Sequence, residues 1–198
     1  FDQGKVIFLQ TYGKANVELN VDLNNNSKFN IGSVTKQMTA MIVLRLIEEG
    51  KLMLNDTVSK FIQLPNKMGD SITIHQLLTH TSGLPEHASI FENYLAKQAK
   101  INYTMQERID QLSNSRLEFE PGSEWSYNGF GYSLLLEICK RVTGIEKDKL
   151  YSHFIFDPLE MRDSECYTDD KVILNRTYGY EIDWNGNFFF DCSVEFIL

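Results

Sequence analysis

The chain has 198 residues, of which 42% are hydrophobic and 23% charged, and a formal net charge of −8 at pH 7. That length can bury a core as one domain, and the acidic balance argues against nucleic acid or an anionic membrane as principal partner. No apolar run reaches membrane-spanning length, because Arg45, Glu48 and Glu49 interrupt the longest.

In chain order, residues 6–9 and 17–23 read as two strands joined near Gly13-Lys14, the second alternating Val17, Leu19, Val21 and Leu23. Asn24-Asn25-Asn26-Ser27 is a loop. A helix then opens at Ser33-Val34-Thr35-Lys36 and stops at Gly50, a favoured residue just past a helix end. Its apolar residues Met38, Ala40, Met41, Ile42, Val43, Leu44, Leu46 and Ile47 lie nearly all the way round, which predicts burial on every side. Lys36 lies one turn from Ser33 on the same helix face. Desolvation in a buried first turn would disfavour its charge, and a neutral amine beside a hydroxyl is a base beside its nucleophile. The plainer alternative makes Ser33 a cap and lets Lys36 reach solvent. S-x-x-K alone recurs by chance about once in every one or two chains of this length, so its flanks must decide.

Asn55-Asp56 starts a short helical piece carrying Val58, Phe61 and Ile62. Thr73 caps a short helix that the Gly83 and Pro85 loop terminates. Residues 104–111 form another helix, with Thr104 and Glu107 spaced as a capping box. Glu120-Pro121-Gly122-Ser123 is a turn, residues 125–132 an aromatic-rich loop, and residues 133–142 an amphipathic helix closed by Gly144. Residues 147–154 make one more helix. Near the end Tyr178, Tyr180 and Ile182 alternate, Asn185-Gly186 supplies a type I′ turn, and Phe188-Phe189-Phe190 returns. Strands at both ends with helices between them predict an α+β domain whose sheet is assembled from distant segments.

Three blocks in this order resemble the serine β-lactamase and penicillin-binding-protein superfamily, in its class C β-lactamase, D-alanyl-D-alanine carboxypeptidase and esterase branch. They are Phe29-Asn30-Ile31-Gly32-Ser33-Val34-Thr35-Lys36-Gln37, then Gln76-Leu77-Leu78-Thr79-His80-Thr81-Ser82-Gly83-Leu84-Pro85, then Glu120-Pro121-Gly122-Ser123-Glu124-Trp125-Ser126-Tyr127. The third runs on to Gly131-Tyr132-Ser133-Leu134-Leu135. The resemblance implies a β-lactamase/transpeptidase-like fold, an antiparallel sheet with flanking helices. It makes residues 1–198 a single domain, with a mostly helical lobe about 56–150 between sheet-forming segments. It also implies a serine hydrolase working through an acyl-enzyme on small esters, amides, D-amino-acid peptides or β-lactams.

By the same resemblance Ser33 is the acylated nucleophile, Lys36 the base that takes its proton, and Tyr127 the proton relay. A phenol needs a neighbouring positive charge to act as a base near neutrality. No metal or organic cofactor is implied, the partner is a small-molecule or peptide substrate, and the location is periplasmic, cell-envelope or secreted.

Two positions depart from the family pattern. The asparagine expected two residues after the tyrosine is Gly129, which leaves Asn128 and Gly129 as candidates for the substrate contact. The family's K-T-G or H-x-G element is not found after Tyr127, and Lys67-Met68-Gly69 lies on the wrong side of it. Phe1 in place of methionine, and apolar residues 194–198 at the other end, predict a chain truncated at both ends. These departures support the alternative of a catalytically impaired scaffold or binding protein.

Lesser signals read as structural. His80 is expected to hydrogen-bond across a helix–loop junction. Asp183-Trp184-Asn185-Gly186-Asn187 has its glycine at the wrong position for a calcium loop. Cys139, Cys166 and Cys192 match neither a disulfide framework nor a zinc site and read as small buried or half-buried side chains. Asn102-Tyr103-Thr104 and Asn175-Arg176-Thr177 fit the glycosylation sequon, and Asp169-Asp170 a solvated loop.

Overall fold

Two helix starts are fixed by one piece of short-range chemistry. Thr73 accepts from the Gln76 N–H at 3.3 Å while the Gln76 side chain accepts from the Thr73 N–H at 2.9 Å. Thr104 and Glu107 repeat the exchange at 3.2 and 2.7 Å. Each reciprocal pair satisfies two backbone donors that a helix start leaves open. The computed structural model describes residues 2–85, 104–166, 171–182 and 188–190. They fall into a helical unit, Val34–Arg162, and a second unit made of Phe1–Ser33 with Asp163–Leu198.

The helical unit contains α1 (Thr35–Glu48), α2 (Ile74–Leu78), α3 (Met105–Asp110), α4 (Gly129–Thr143) and α5 (Lys147–Tyr151). α1 packs on α4 and α5, and α2 packs on α4. Their shared core is Ile42, Val43 and Leu46 from α1, Leu77 from α2, and Leu134, Leu135 and Ile138 from α4, all essentially without solvent contact. Fully burying each such side chain is worth about 1.5–3 kcal/mol. A buried bond of 2.7 Å between the Thr39 and Tyr151 hydroxyls links α1 to α5 inside this core.

α1 is not buried on every side as its composition predicts. Met41 is 60% and Leu44 45% exposed, on the face opposite the core residues Ile42, Val43 and Leu46. Composition counts apolar residues but cannot say how many faces of a helix find a neighbour. α4 begins four residues earlier than the sequence pattern predicts. Asn128 caps it, its Oδ1 accepting from the Gly131 N–H at 2.6 Å, so the Gly-Phe-Gly-Tyr stretch is helical despite its glycines. Gly50 and Gly144 stand at the ends of α1 and α4 with φ of 69° and 73°, as predicted.

The second unit holds two antiparallel strand pairs. β1 (Lys14–Asn16) pairs with β2 (Val21–Asp22), and β3 (Tyr180–Ile182) pairs with β4 (Phe188–Phe190) in the register Tyr180↔Phe190. The two ends of the chain meet here. Tyr178 N–H donates to the Ala15 carbonyl at 3.0 Å, Lys28 N–H to Asn175 at 2.8 Å, and Thr177 N–H to Lys28 at 2.8 Å. This is the α+β class with distant segments joined.

Strand positions differ in detail. The predicted strand over 17–23 is split by a turn, where Asn16 Oδ1 accepts from Leu19 N–H and Asn20 takes a φ of 53°. The turn chemistry of two asparagines outweighs the apolar alternation. Residues 6–9 have a strand's composition but no strand partner among the described residues, and Val6, Ile7, Phe8 and Leu9 are 56–71% exposed. A strand exists only as half of a ladder, which its own sequence cannot supply. The Asn185-Gly186 turn, the Asp183–Asn187 loop, Asn102, Asp169-Asp170 and Cys192 lie outside the described residues.

Candidate active site

The second and third sequence blocks are laced together by backbone hydrogen bonds. Gly83 carbonyl accepts from Glu118 N–H at 2.8 Å, Thr81 from Gly122 at 2.8 Å, and His80 from Ser126 at 3.0 Å. The lacing starts where α2 ends. His80 has a φ of 59°, which only a minority of non-glycine residues adopt, and it turns the chain back along the 118–126 segment. Residues almost fifty positions apart therefore present Tyr127 and its neighbours over the first turn of α1.

Lys36 sits in that first turn and is half-buried. Its amine lies 4.9 Å from the centre of the Tyr127 ring and 5.8 Å from that of Tyr132, within range for a cation held over an aromatic face. Lys36 and Tyr127, singled out separately in the sequence, are thus brought together. A lysine amine, the group the phenol needs beside it, lies at that distance. Ser33 is exposed in the 3-10 turn Gly32–Val34 that leads directly into α1.

Sequence reasoning gave His80 only a structural junction role and did not single out Tyr132. The His80 ring lies 4.7 Å from that of Tyr127 and 5.1 Å from that of Tyr132, with Trp125 edge-on at 6.2 Å. Burial first, and the Lys36 charge second, hold the His80 imidazole below its ordinary range. Tyr132 donates its hydroxyl to the Leu78 carbonyl at 2.9 Å, and burial pushes its phenol up. A donated, harder-to-ionise phenol is a fixed wall, which separates Tyr132 from the half-exposed Tyr127. The only sequence signal for either was membership in a motif block.

Asn128 is buried and its side chain is engaged at both ends. Oδ1 accepts from Gly131 N–H, and Nδ2 donates to the Leu84 carbonyl at 2.9 Å. Gly129 follows as the first residue of α4, also buried. Cys139 is buried in α4, and burial pushes its thiol up to about 12, which keeps it unreactive. Among the described residues no group of three His, Cys, Asp or Glu side chains is arranged to hold a metal, and no helix is long and apolar enough to cross a membrane.

Residues 1–187 match the family model described as Beta-lactamase. The chain belongs to that family. It is 31% identical over 186 residues to Penicillin-binding protein 4* of Bacillus subtilis (strain 168), covering 91% of this chain and 40% of the relative. The penicillin-binding protein from Bacillus halodurans superposes with a TM-score of 0.82 at 25% identity, over 96% of this chain and 58% of that one. EstCE1, a hydrolase with promiscuous acyltransferase activity, superposes with a TM-score of 0.69 at 26% identity, over 89% and 48%. The chain spans about 40% of the length of the curated relative, so the Beta-lactamase family match covers most of this chain but less than half of that protein. The fold is that of the penicillin-binding-protein and β-lactamase group, as the three motif blocks imply.

Proposed function

We propose that this chain carries the nucleophile and base of a serine hydrolase that acts through an acyl-enzyme on small esters, amides, D-amino-acid peptides or β-lactams. The observation that carries the reading is the Lys36 amine held 4.9 Å over the Tyr127 ring, one helical turn after an exposed serine. Ser33 Oγ attacks the substrate carbonyl carbon as its proton passes to Lys36 Nζ. Backbone N–H groups at the start of α1, Ser33's own among them, take the oxyanion. The tetrahedral centre collapses, the leaving group departs with a proton delivered through Tyr127, and the acyl group stays on Ser33. Water then attacks that ester, giving its proton to the same relay, which returns a proton to Ser33 Oγ as the acid leaves.

Residues 1–198 are read as part of one β-lactamase-like domain, with the helical lobe about 56–150 between sheet-forming segments. The hydrolase description of EstCE1 and the penicillin-binding names of the other relatives point the same way. Asn128, tied into the cap of α4, keeps a polar group beside the relay, whereas Gly129 offers substrate only its backbone.

The test is covalent. A fluorophosphonate or penicillin probe is expected to add one adduct mass to the wild type, mapping to Ser33, and none to Ser33→Ala. A folded wild type that neither probe modifies would remove the hydrolase reading and leave the family scaffold as a binding protein.

A further inference from the structure

We infer that His80 is a positioning residue for the proposed reaction: its backbone carbonyl and its neutral imidazole together clamp the backbone on the two sides of Tyr127 and so fix the relay above Lys36. The inference rests on the acyl-enzyme reading. Three observations converge on this side chain. The His80 carbonyl accepts from Ser126 N–H at 3.0 Å, and its Nδ1 accepts from Asn128 N–H at 3.1 Å. These two bonds bracket Tyr127 in the sequence, so one residue holds the peptide groups before and after the phenol. Its ring also lies 4.7 Å from that of Tyr127 and 5.1 Å from that of Tyr132. Finally, the residue keeps a left-handed φ of 59° that non-glycine residues disfavour, so the clamp is built against a local preference.

The protonation state follows from the hydrogen bond. A ring nitrogen that accepts from an N–H carries no proton, so the neutral ring bears its single proton on Nε2. Protonating Nδ1 would set two donors face to face, break the Asn128 bond and place a positive charge beside the Lys36 amine. The titratable groups facing the ring among the described residues are Lys36 from α1, Tyr127 from the loop and Tyr132 from α4. None carries negative charge to offset an imidazolium. The depressed His80 imidazole agrees. Its contribution is fully present above the ordinary histidine value of about 6.5 and is lost as pH falls through the lower folded value.

Two variants separate clamping from packing. His80→Asn puts an acceptor oxygen where Nδ1 stands, tolerates a left-handed backbone and does not titrate. His80→Phe keeps a ring beside the tyrosines and has no acceptor. In the wild type the rate of probe addition at Ser33 is expected to show a step at a pH below the ordinary histidine range, a step that His80→Asn lacks. Above pH 7 the Asn variant should stay within about threefold of wild type and the Phe variant should fall about tenfold, one net hydrogen bond's worth. A pH profile in His80→Asn that superposes on the wild-type profile, or a Phe variant as fast as the Asn variant, would overturn the clamp. A wild type never modified at Ser33 defeats the hydrolase reading instead. The Asn128 amide resonance then tests the clamp alone: it should move with the His80 titration, and a flat response overturns it.

Discussion

Replacing Lys36 with alanine should slow probe addition at Ser33 by about 10²–10⁴-fold, the range a positioned general base contributes. Lys36→Arg sharpens the result. Arginine would put a permanent cation over the Tyr127 and Tyr132 rings and cannot accept a proton, so it should be as slow as alanine. If the amine merely braced the tyrosines, arginine would restore most of the rate. Stability should hardly change, since a half-buried stem over two rings contributes about 1 kcal/mol. Single-turnover labelling beside a urea titration reads both quantities. An alanine variant within about threefold of wild type would show that Ser33 takes its base from elsewhere.

Gly83→Ala should be among the most destabilising single methyl additions in the helical unit. A Cβ there would stand 2.2 Å from the Phe119 carbonyl oxygen and 3.2 Å from its carbon, on a backbone with φ of 69°. Left-handed strain costs about 1–2 kcal/mol, and the clash with rigid backbone raises the expected loss to about 3–5 kcal/mol. That is a large part of the 5–15 kcal/mol typical of a folded domain, roughly. The neighbouring Gly83–Glu118 bond is the first rung of the lacing that presents Tyr127, so labelling should fall along with the denaturation midpoint. Gly144→Ala is the control: with φ of 73° and no atom within 4 Å, it bears the strain without the clash and should lose only about 1 kcal/mol. Equal losses at the two glycines would show that the Phe119 backbone simply moves aside.

The fold class and the starts of α2 and α3 were legible because their causes are local. Thr73 and Thr104 announce themselves through partners three residues away. The family motifs gave Ser33, Lys36 and Tyr127 as a group, and the meeting of Lys36 with Tyr127 bears on that grouping directly. What stayed hidden depends on neighbours distant in the chain. The open face of α1 at Met41 and Leu44, and the unladdered residues 6–9, are apolar stretches whose surroundings no periodicity describes. His80 read as a junction residue, which it is. That the junction holds Tyr127 needed the Asn128 bond and the ring distances. The sequence offered Asn128 as a candidate substrate contact; that its amide also caps α4 and bonds the Leu84 carbonyl needed the structure.

The division into one continuous unit and one built from both ends has a kinetic consequence. Val17 N–H bonds the Tyr180 hydroxyl at 2.9 Å across 163 positions of sequence. Closing so long a loop from an open coil costs about 4–5 kcal/mol of entropy before any contact rewards it. Condensation of the intervening helices first draws the two ends together and removes most of that cost. Pulse-labelled amide exchange during refolding should therefore protect Leu134 and Ile138 before Tyr178. The opposite order would mean that the terminal segments find each other without help from the helices.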